Sequence, residues 1–307
     1  MRRRIPSTAA LIAFESAARH QSFTKAANEL NLTQSAICRQ IGGLEEFLGI
    51  ALFRRSRRGV VLTDSGQTYA RKIAAQLDAV ERDTLALLGS EGSTSLELAV
   101  VPTFGTQWLL PRLRDFQQRH PQINVHLTNR TRPFLFADTH FDAAIYYGDA
   151  DWSGTQAHFL MPEHLAPVCS PALIQHDPLS AVQLAEMPLL QQTTRPYAWR
   201  QWFATQQLTT PRDMSGPRLE LFSMLAQAAC HGMGVALIPP FLIERELREG
   251  LLTIAHPQQV TDPARAYYLM VPERRSESAA LKTFQTWLLE QAKHYQQYAA
   301  PIPEQPM

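Results

Sequence analysis

The sequence predicts an α/β fold preceded by an all-α part, and three observations predict it. Up to about Leu88, apolar residues recur at helical spacing. From Leu96 onward the period shortens, and compact apolar runs alternate with helical segments. The charge is also divided. Residues 1–62 hold ten Lys/Arg and four acids, a net of +6, against 19 and 24, a net of −5, in the remainder. At 307 residues the chain is long enough for two or three domains with substantial cores. A basic head on an acidic body is the footprint of a nucleic-acid-binding module joined to something else.

Ser7 to about His20 reads as the first helix, burying Leu11, Phe14 and Ala18. Ser22 and Thr33 then stand where N-caps belong, each with a side-chain oxygen for an orphan amide of the next turn. Phe23, Ala26, Ala27 and Leu30 mark one short helix; Ala36, Ile37, Ile41, Leu44 and Leu48 mark the next. Two helices joined by about three residues make a helix-turn-helix. Gln34, Ser35, Cys38 and Arg39 fall on the polar face of the second helix near its N-terminus, where a recognition helix meets base edges. Short capped pairs also occur in ordinary bundles, so the helices alone leave both readings open. Gly42-Gly43 interrupts the second helix, each glycine costing roughly 1 kcal/mol against alanine.

Leu52-Phe53 begins a short apolar run, Arg54-Arg55-Ser56-Arg57-Arg58-Gly59 turns, and Val60-Val61-Leu62 returns. A charge run is usually a solvated face. Beside a helix-turn-helix, a two-stranded ribbon with four arginines at its tip suits phosphate or minor-groove contact better. The candidate DNA-binding residues are therefore Ser22, Thr24, Thr33, Gln34, Ser35, Cys38, Arg39, Arg54, Arg55, Arg57 and Arg58.

Thr63 or Asp64 caps a long helix through about Leu88, with an apolar stripe of Tyr69, Ile73, Leu77, Val80 and Leu87-Leu88. A single helix has no core of its own to cover that stripe, so it pairs with another copy or lies along the next domain. The run Gly89-Ser-Glu-Gly-Ser-Thr-Ser95 reads as a hinge. Leu96–Val101, Ile123–Leu127, Asp142–Tyr147, Leu165–Val168, Leu189–Gln192, Val235–Ile238 and Tyr267–Val271 follow as strands. Between them lie helical segments at Trp108–Arg119, Trp199–Gln206, Phe222–His231 and Ala279–Lys293. The alternation predicts mainly parallel sheets.

Several functions are set aside. Cys38, Cys169 and Cys230 are odd in number and far apart, as reduced thiols rather than a disulfide framework. The apolar run after Met1-Arg-Arg-Arg4 is broken by Glu15 and Arg19 and is no signal peptide, and no run approaches the ~20 residues of a membrane span. A cytoplasmic protein without membrane contact is expected. Gly232-Met-Gly234 lies after a helix and before a strand, the reverse of the dinucleotide-binding order, and Gly232 suits a helix C-cap. The ten histidines are scattered and no G-x-S-x-G, H-E-x-x-H or phosphate-loop sequence occurs. The expectation is no enzyme, no cofactor and no metal.

Ligands of open α/β sheets bind beyond the carboxyl ends of strands, near helix N-termini. That places Pro102–Thr106 at a cleft, with Asn129–Phe136, Tyr146–Asp149, Thr193–Trp202 and Glu220–Ser223 as the other strand-end segments. The candidate effector-binding residues are Thr103, Phe104, Thr131, Arg132, Phe134, Tyr147, Trp152, Arg195, Tyr197, Trp199 and Phe222. Any one of these rings is more simply core. Their clustering at strand ends points to a ligand whose ammonium the rings hold by cation–π attraction, while Thr103 and Arg195 hold an anionic group.

Phe14-Glu-Ser-Ala-Ala-Arg-His-Gln-Ser22, Thr33-Gln-Ser-Ala-Ile37, Leu44-Glu45, Leu48-Gly49, Leu52-Phe-Arg-Arg55 and Leu62-Thr-Asp-Ser-Gly66 together resemble the LysR-type transcriptional regulators. The resemblance is in order and covers nearly the whole chain. It departs at Cys38, where serine is frequent, and at Gly42-Gly43. It implies a winged helix-turn-helix domain at 1–63, a linker helix of a homodimer at 64–89 and a hinge at 90–95. A two-lobed, periplasmic-binding-protein-like effector domain would follow at 96–300. Its first lobe is placed at about 96–164 and 267–295 and its second at about 165–266, with crossings near 162–167 and 265–269. The implied partners are promoter DNA, a small-molecule effector, further copies of the chain as a dimer or dimer of dimers, and RNA polymerase. Within the family, Ala143–Asp149, His158–Met161 and Pro167–Pro171 resemble regulators responding to glycine or D-serine. Thr193–Trp202 resembles a regulator of choline-sulfate use, which makes choline sulfate or a related betaine the first expected effector. A metabolite-binding module without DNA activity is the alternative class.

Overall fold

The computed structural model describes residues 5–56, 59–89, 94–174, 178–273 and 278–298, and the chain divides into two compact units, Met1–Glu91 and Gly92–Met307. In the first unit, α1 (Thr8–His20), α2 (Phe23–Glu29) and α3 (Gln34–Leu48) each start at a hydroxyl. Ser7 accepts from the Ala10 amide at 3.2 Å, Ser22 from Lys25 at 3.3 Å and Thr33 from Ala36 at 3.2 Å, so each cap satisfies an orphan first-turn donor. Ala13, Ala17, Ala26 and Ala27 pack with Ile37 and Ile41; four small residues let the three helices approach closely. On the surface, Glu29 accepts from Arg19 (2.6 Å) and Ser16 (2.8 Å) and meets His20 (2.6 Å), tying α2 to α1. The Arg19 hydrogen bond, with those from Ser16 and His20, holds the Glu29 carboxyl down at about 2.

The glycine pair does not interrupt α3. The helix runs unbroken through Gly42 and Gly43, both exposed with open space where a Cβ would stand, and ends at Gly49 in the left-handed region (φ 69°). Burial of Ile37, Ile41 and Leu44 on the opposite face holds the helix across the weak pair. The strands β1 (Phe53–Ser56) and β2 (Gly59–Leu62) form the expected antiparallel ribbon, Ser56 opposite Gly59. Glu45 anchors it to α3, its Oε1 accepting the Leu52 and Phe53 amides at 2.6 and 3.0 Å. Thr63 then caps α4 (Asp64–Gly89), accepting from Gly66 at 3.0 Å. The stripe on α4 is partly covered by the unit itself, since Tyr69, Ala70 and Ile73 pack against Phe14, Leu44 and Leu52. Val80, further along, is 60% exposed. Of the expected hinge, Gly89 is helical, Thr94 and Ser95 are strand, and 90–93 lie outside the described residues.

The second unit begins with β3 (Thr94–Val100) and a helical stretch made of α5 (Pro102–Phe104), a π turn at Gly105–Leu109 and α6 (Leu110–Arg119). Then come β4 (Ile123–Asn129), β5 (Ala143–Gly148), β6 (Thr155–Cys169), α7 (Ala181–Glu186), β7 (Leu189–Gln192) and α8 (Ala198–Thr205). The chain continues through β8 (Arg218–Leu219), α9 (Phe222–Cys230), β9 (Val235–Ile238), α10 (Glu244–Arg248), β10 (Thr253–Ile254), β11 (Val260–Pro272) and α11 (Ala279–Tyr298). The strand order is β4-β3-β5-β11-β6-β9-β7-β8, with β10 also on β6. One curled sheet thus makes two lobes, joined by the long strands β6 and β11. Around the crossing the two pair as Val260 with Leu165 and, beyond a register shift, as Ala266 with Pro162.

The sheet is mixed rather than mainly parallel. The outer pairings β3–β4, β3–β5, β7–β9 and β7–β8 are parallel, but every pairing of β6 and β11 is antiparallel. These two strands carry the chain out to the second lobe and back, so they run against each other and against their neighbours. The expected strands at Leu165–Val168 and Tyr267–Val271 are only the apolar ends of these longer ones; Pro162-Glu163-His164 and Asp262-Pro263-Ala264-Arg265 break the period between. Side chains alternate across the sheet. Leu96, Leu98, Val100, Ala143, Ile145, Tyr267, Leu269 and Val271 enter the main core. Ala99, Ala144 and Met270 face a separate aromatic cluster with Phe134, Phe136, Phe141 and Trp152. Among the described residues no helix is long and apolar enough to cross a membrane.

Candidate functional site

The first unit presents a polar surface on α3. Gln34, Ser35, Cys38 and Arg39 are all exposed on α3, while Ile37 between them and Ile41 after them are buried. The i, i+1, i+4, i+5 spacing puts the four on one face opposite the core. Thr33 and Ser35 hydroxyls lie 3.0 Å apart, and Ser22 and Thr33 have their oxygens committed to helix capping. Thr24 is exposed on α2, and Arg54 is exposed on β1. Arg55 lies on β1 as well, and Arg57 and Arg58 fall outside the described residues. The surface can place amide, hydroxyl and guanidinium donors into a groove beside a basic ribbon.

The second unit holds a cleft where β3 and β7 end, lined by Thr103, Phe104, Thr131, Tyr147, Arg195 and Phe222 among the expected residues. Val101, Pro102, Gln192, Thr194, Glu220, Leu221, Leu242 and Tyr267 complete it. Thr103 is the joint between its walls. Its hydroxyl oxygen accepts the Ser223 amide at 3.1 Å, in the first turn of α9, and lies 3.5 Å from the Ser223 hydroxyl. Leu221, which precedes α9, gives no side-chain cap, so Thr103 supplies from another element what the local sequence lacks. Two helical starts therefore converge on one end of the cleft, and exposed Glu220 stands beside it. The Phe104 and Tyr267 rings stack at 5.1 Å along the wall.

Arg195 does not offer its fork to the cleft. Its Nε and one terminal nitrogen donate to the two oxygens of Glu163 at 2.7 and 2.9 Å, and the other nitrogen donates to the Thr194 hydroxyl at 2.7 Å. The guanidinium lies 3.6 Å over the Tyr147 ring. Glu163, its side chain 1% exposed, also accepts from the Tyr267 hydroxyl at 2.7 Å. Burial alone would weaken the Arg195 proton, but the Glu163 charge and its hydrogen bonds outweigh it and raise the group above its ordinary value. Burial, then the Glu163 charge, raises both the Tyr147 and Tyr267 phenols, so they remain protonated at any ordinary pH.

Five expected residues are elsewhere. Trp199 is 2% exposed and donates its indole N–H to the Leu190 carbonyl at 2.9 Å. With Trp202 and Phe203 it forms the buried stripe of α8, which the 199/202/203 spacing dictates. Phe134 and Trp152 pack together at 5.1 Å on the opposite sheet face from Tyr147, with the Trp152 indole donating to the Phe134 carbonyl. Arg132 is exposed and outside the lining, and Tyr197, 55% exposed, lines a neighbouring cavity with Arg195, Asp262 and Arg265. Tyr267 and Glu163 were missing from the expected residues, and Glu220 was expected only as part of the strand-end segment Glu220–Ser223. Glu163 had one signal: a lone acid inside the apolar run Phe159–Val168 needs a buried partner.

Comparison with known proteins assigns both units to one family. Residues 8–67 match the bacterial regulatory helix-turn-helix protein model of the lysR family, and residues 89–293 match the LysR substrate binding domain. The chain is 35% identical over 296 residues to the glycine cleavage system transcriptional activator of Escherichia coli K12, covering 95% of this chain and 96% of that protein. It is 37% identical over 284 residues to the transcriptional activator AmpR of Rhodobacter capsulatus, covering 92% and 96%. The solved effector domain of Pseudomonas aeruginosa AmpR is 30% identical, with a TM-score of 0.60, covering 66% of this chain and 98% of that one. With a lysR-family helix-turn-helix head and a LysR substrate binding domain in one chain, both matched along their length, the protein belongs to the LysR family of transcriptional regulators and is not an enzyme.

Proposed function

We propose that this regulator works in the cytoplasm as a homodimer or dimer of dimers, binds promoter DNA through α3 and the ribbon, and responds to a small zwitterionic amino acid of the glycine or serine kind. RNA polymerase is the further partner that a transcriptional activator of this family would meet. The observation that carries the effector reading is the Thr103–Ser223 joint beside Glu220. First-turn amides and a hydroxyl favour a carboxylate, and an acid within the same cleft favours an ammonium. Choline sulfate, the first expectation, depended on indoles to receive a methylated ammonium. Trp152 and Trp199 are both committed to core packing and to backbone carbonyls, and Arg195 already covers the Tyr147 ring. The similarity to a glycine cleavage activator supports the amino-acid reading independently.

Thermal melting and calorimetry with glycine, D-serine and choline sulfate test it. Glycine or D-serine is expected to bind, and Thr103→Ala to weaken that binding by roughly tenfold, the worth of one hydrogen bond to a charged group. The same variant is expected to lose the effector's influence on a reporter promoter while keeping specific DNA binding, since a ligand acts only through its differential affinity for two states. Binding of choline sulfate with no response to either amino acid would overturn the effector assignment.

A further inference from the structure

Arg195 lines both the cleft and the neighbouring cavity, and its commitment is unusual. A guanidinium is suited to a two-pronged hold on a carboxylate or sulfate. Here that edge is filled from within the chain, by an acid on β6 whose remaining capacity goes to Tyr267 on β11. The third nitrogen is held by Thr194 and one π face rests on Tyr147. Both side chains are nearly inaccessible, Arg195 15% and Glu163 1% exposed. Such a pair is weak evidence for stability, because desolvating both charges offsets much of their attraction. Its placement at the wall of a ligand cleft suggests a different role.

We propose that Glu163 is a specificity-determining residue: it occupies Arg195 as an internal carboxylate and so keeps the cleft from binding ligands that carry a second anionic group. The cleft then selects net-neutral zwitterions over dicarboxylates, acidic amino acids and sulfate. An incoming anion must either displace a buried carboxylate or sit beside it, and both are unfavourable. The mechanism takes its purpose from the zwitterion reading above, but its own readout is anion binding and does not require that glycine or serine bind.

The experiment is a calorimetric titration of the full chain and of Glu163→Gln with glycine, succinate and sulfate, with thermal melting alongside. Glutamine keeps an acceptor for the Tyr267 hydroxyl while removing the charge that holds Arg195. The parent is expected not to bind succinate or sulfate. The variant is expected to gain at least about tenfold in affinity for both, and its melting temperature to rise with sulfate, since a ligand of the folded state stabilises it by mass action. The double variant Glu163→Gln/Arg195→Gln is expected to lose the gain. Should Glu163→Gln not fold, Glu163→Asp retracts the carboxylate by one methylene and breaks the two-pronged hold, and a smaller gain of the same sign is expected. No gain in a folded variant overturns the proposal, as does a gain that survives removal of Arg195, or succinate binding by the parent. A parent that ignores both glycine and D-serine while Glu163→Gln acquires succinate sinks the amino-acid reading and leaves the role of Glu163 standing.

Discussion

A methyl group at position 66 has nowhere to go. A Cβ built there collides with the Leu52 carbonyl oxygen and sits 3.1 Å from the Leu62 side chain, so glycine is required by the close approach of α4 to the ribbon. The same Leu52 carbonyl accepts from the Thr63 amide, and Thr63 caps α4, so one small residue holds the cap, the helix and the ribbon together. Gly66→Ala should therefore destabilise the first unit by about 1–3 kcal/mol, the range for forcing extra volume into a packed site. Urea denaturation followed by circular dichroism checks this, and a change below about 0.5 kcal/mol would show that the backbone yields freely.

At the scale of elements, α3 divides its labour by face. Ile37, Ile41 and Leu44 fix it to the core, which leaves Gln34, Ser35, Cys38 and Arg39 free to meet a partner. Gln34→Ala should relax sequence choice at fixed promoter positions by ~1–3 kcal/mol while sparing affinity for random DNA. A gel-shift comparison of the two DNAs decides it, and equal losses on both would remove α3 as the reader of bases. The second unit shows the converse case, an element whose aromatic residues look available and are not. Trp199 and Trp202 stand at the carboxyl end of a strand in sequence, yet α8 turns both inward.

Across the whole molecule, the charge is sorted, with a head at +6 and a body at −5. Binding to DNA of any sequence should weaken steeply with salt as condensed counterions are released. Replacing Arg57 and Arg58 with alanine should lower affinity for all sequences and flatten the log–log salt dependence by roughly 0.9 for each phosphate that is no longer neutralised. Fluorescence anisotropy across a salt series measures the slope, and an unchanged slope would assign the ribbon no role in phosphate binding.

What the sequence determined by itself was local. Hydroxyl caps at Ser22 and Thr33, helical periodicity through α1 to α3 and the apolar strands of the body all rest on near neighbours in the chain, where propensity and pattern act directly. Thr103 was legible for the same reason, since it follows the end of a recognisable strand. The contents of the cleft were decided by tertiary structure. Tyr146 and Tyr147 are adjacent in sequence but face different clusters, because a strand sends successive side chains to opposite sides. Arg195 looked like a free anion receptor until Glu163, 32 residues away in sequence, closed on it. Pairings of that range depend on how β6 and the turn after β7 bring distant charges into one dry space, where an unpaired charge is too costly to leave.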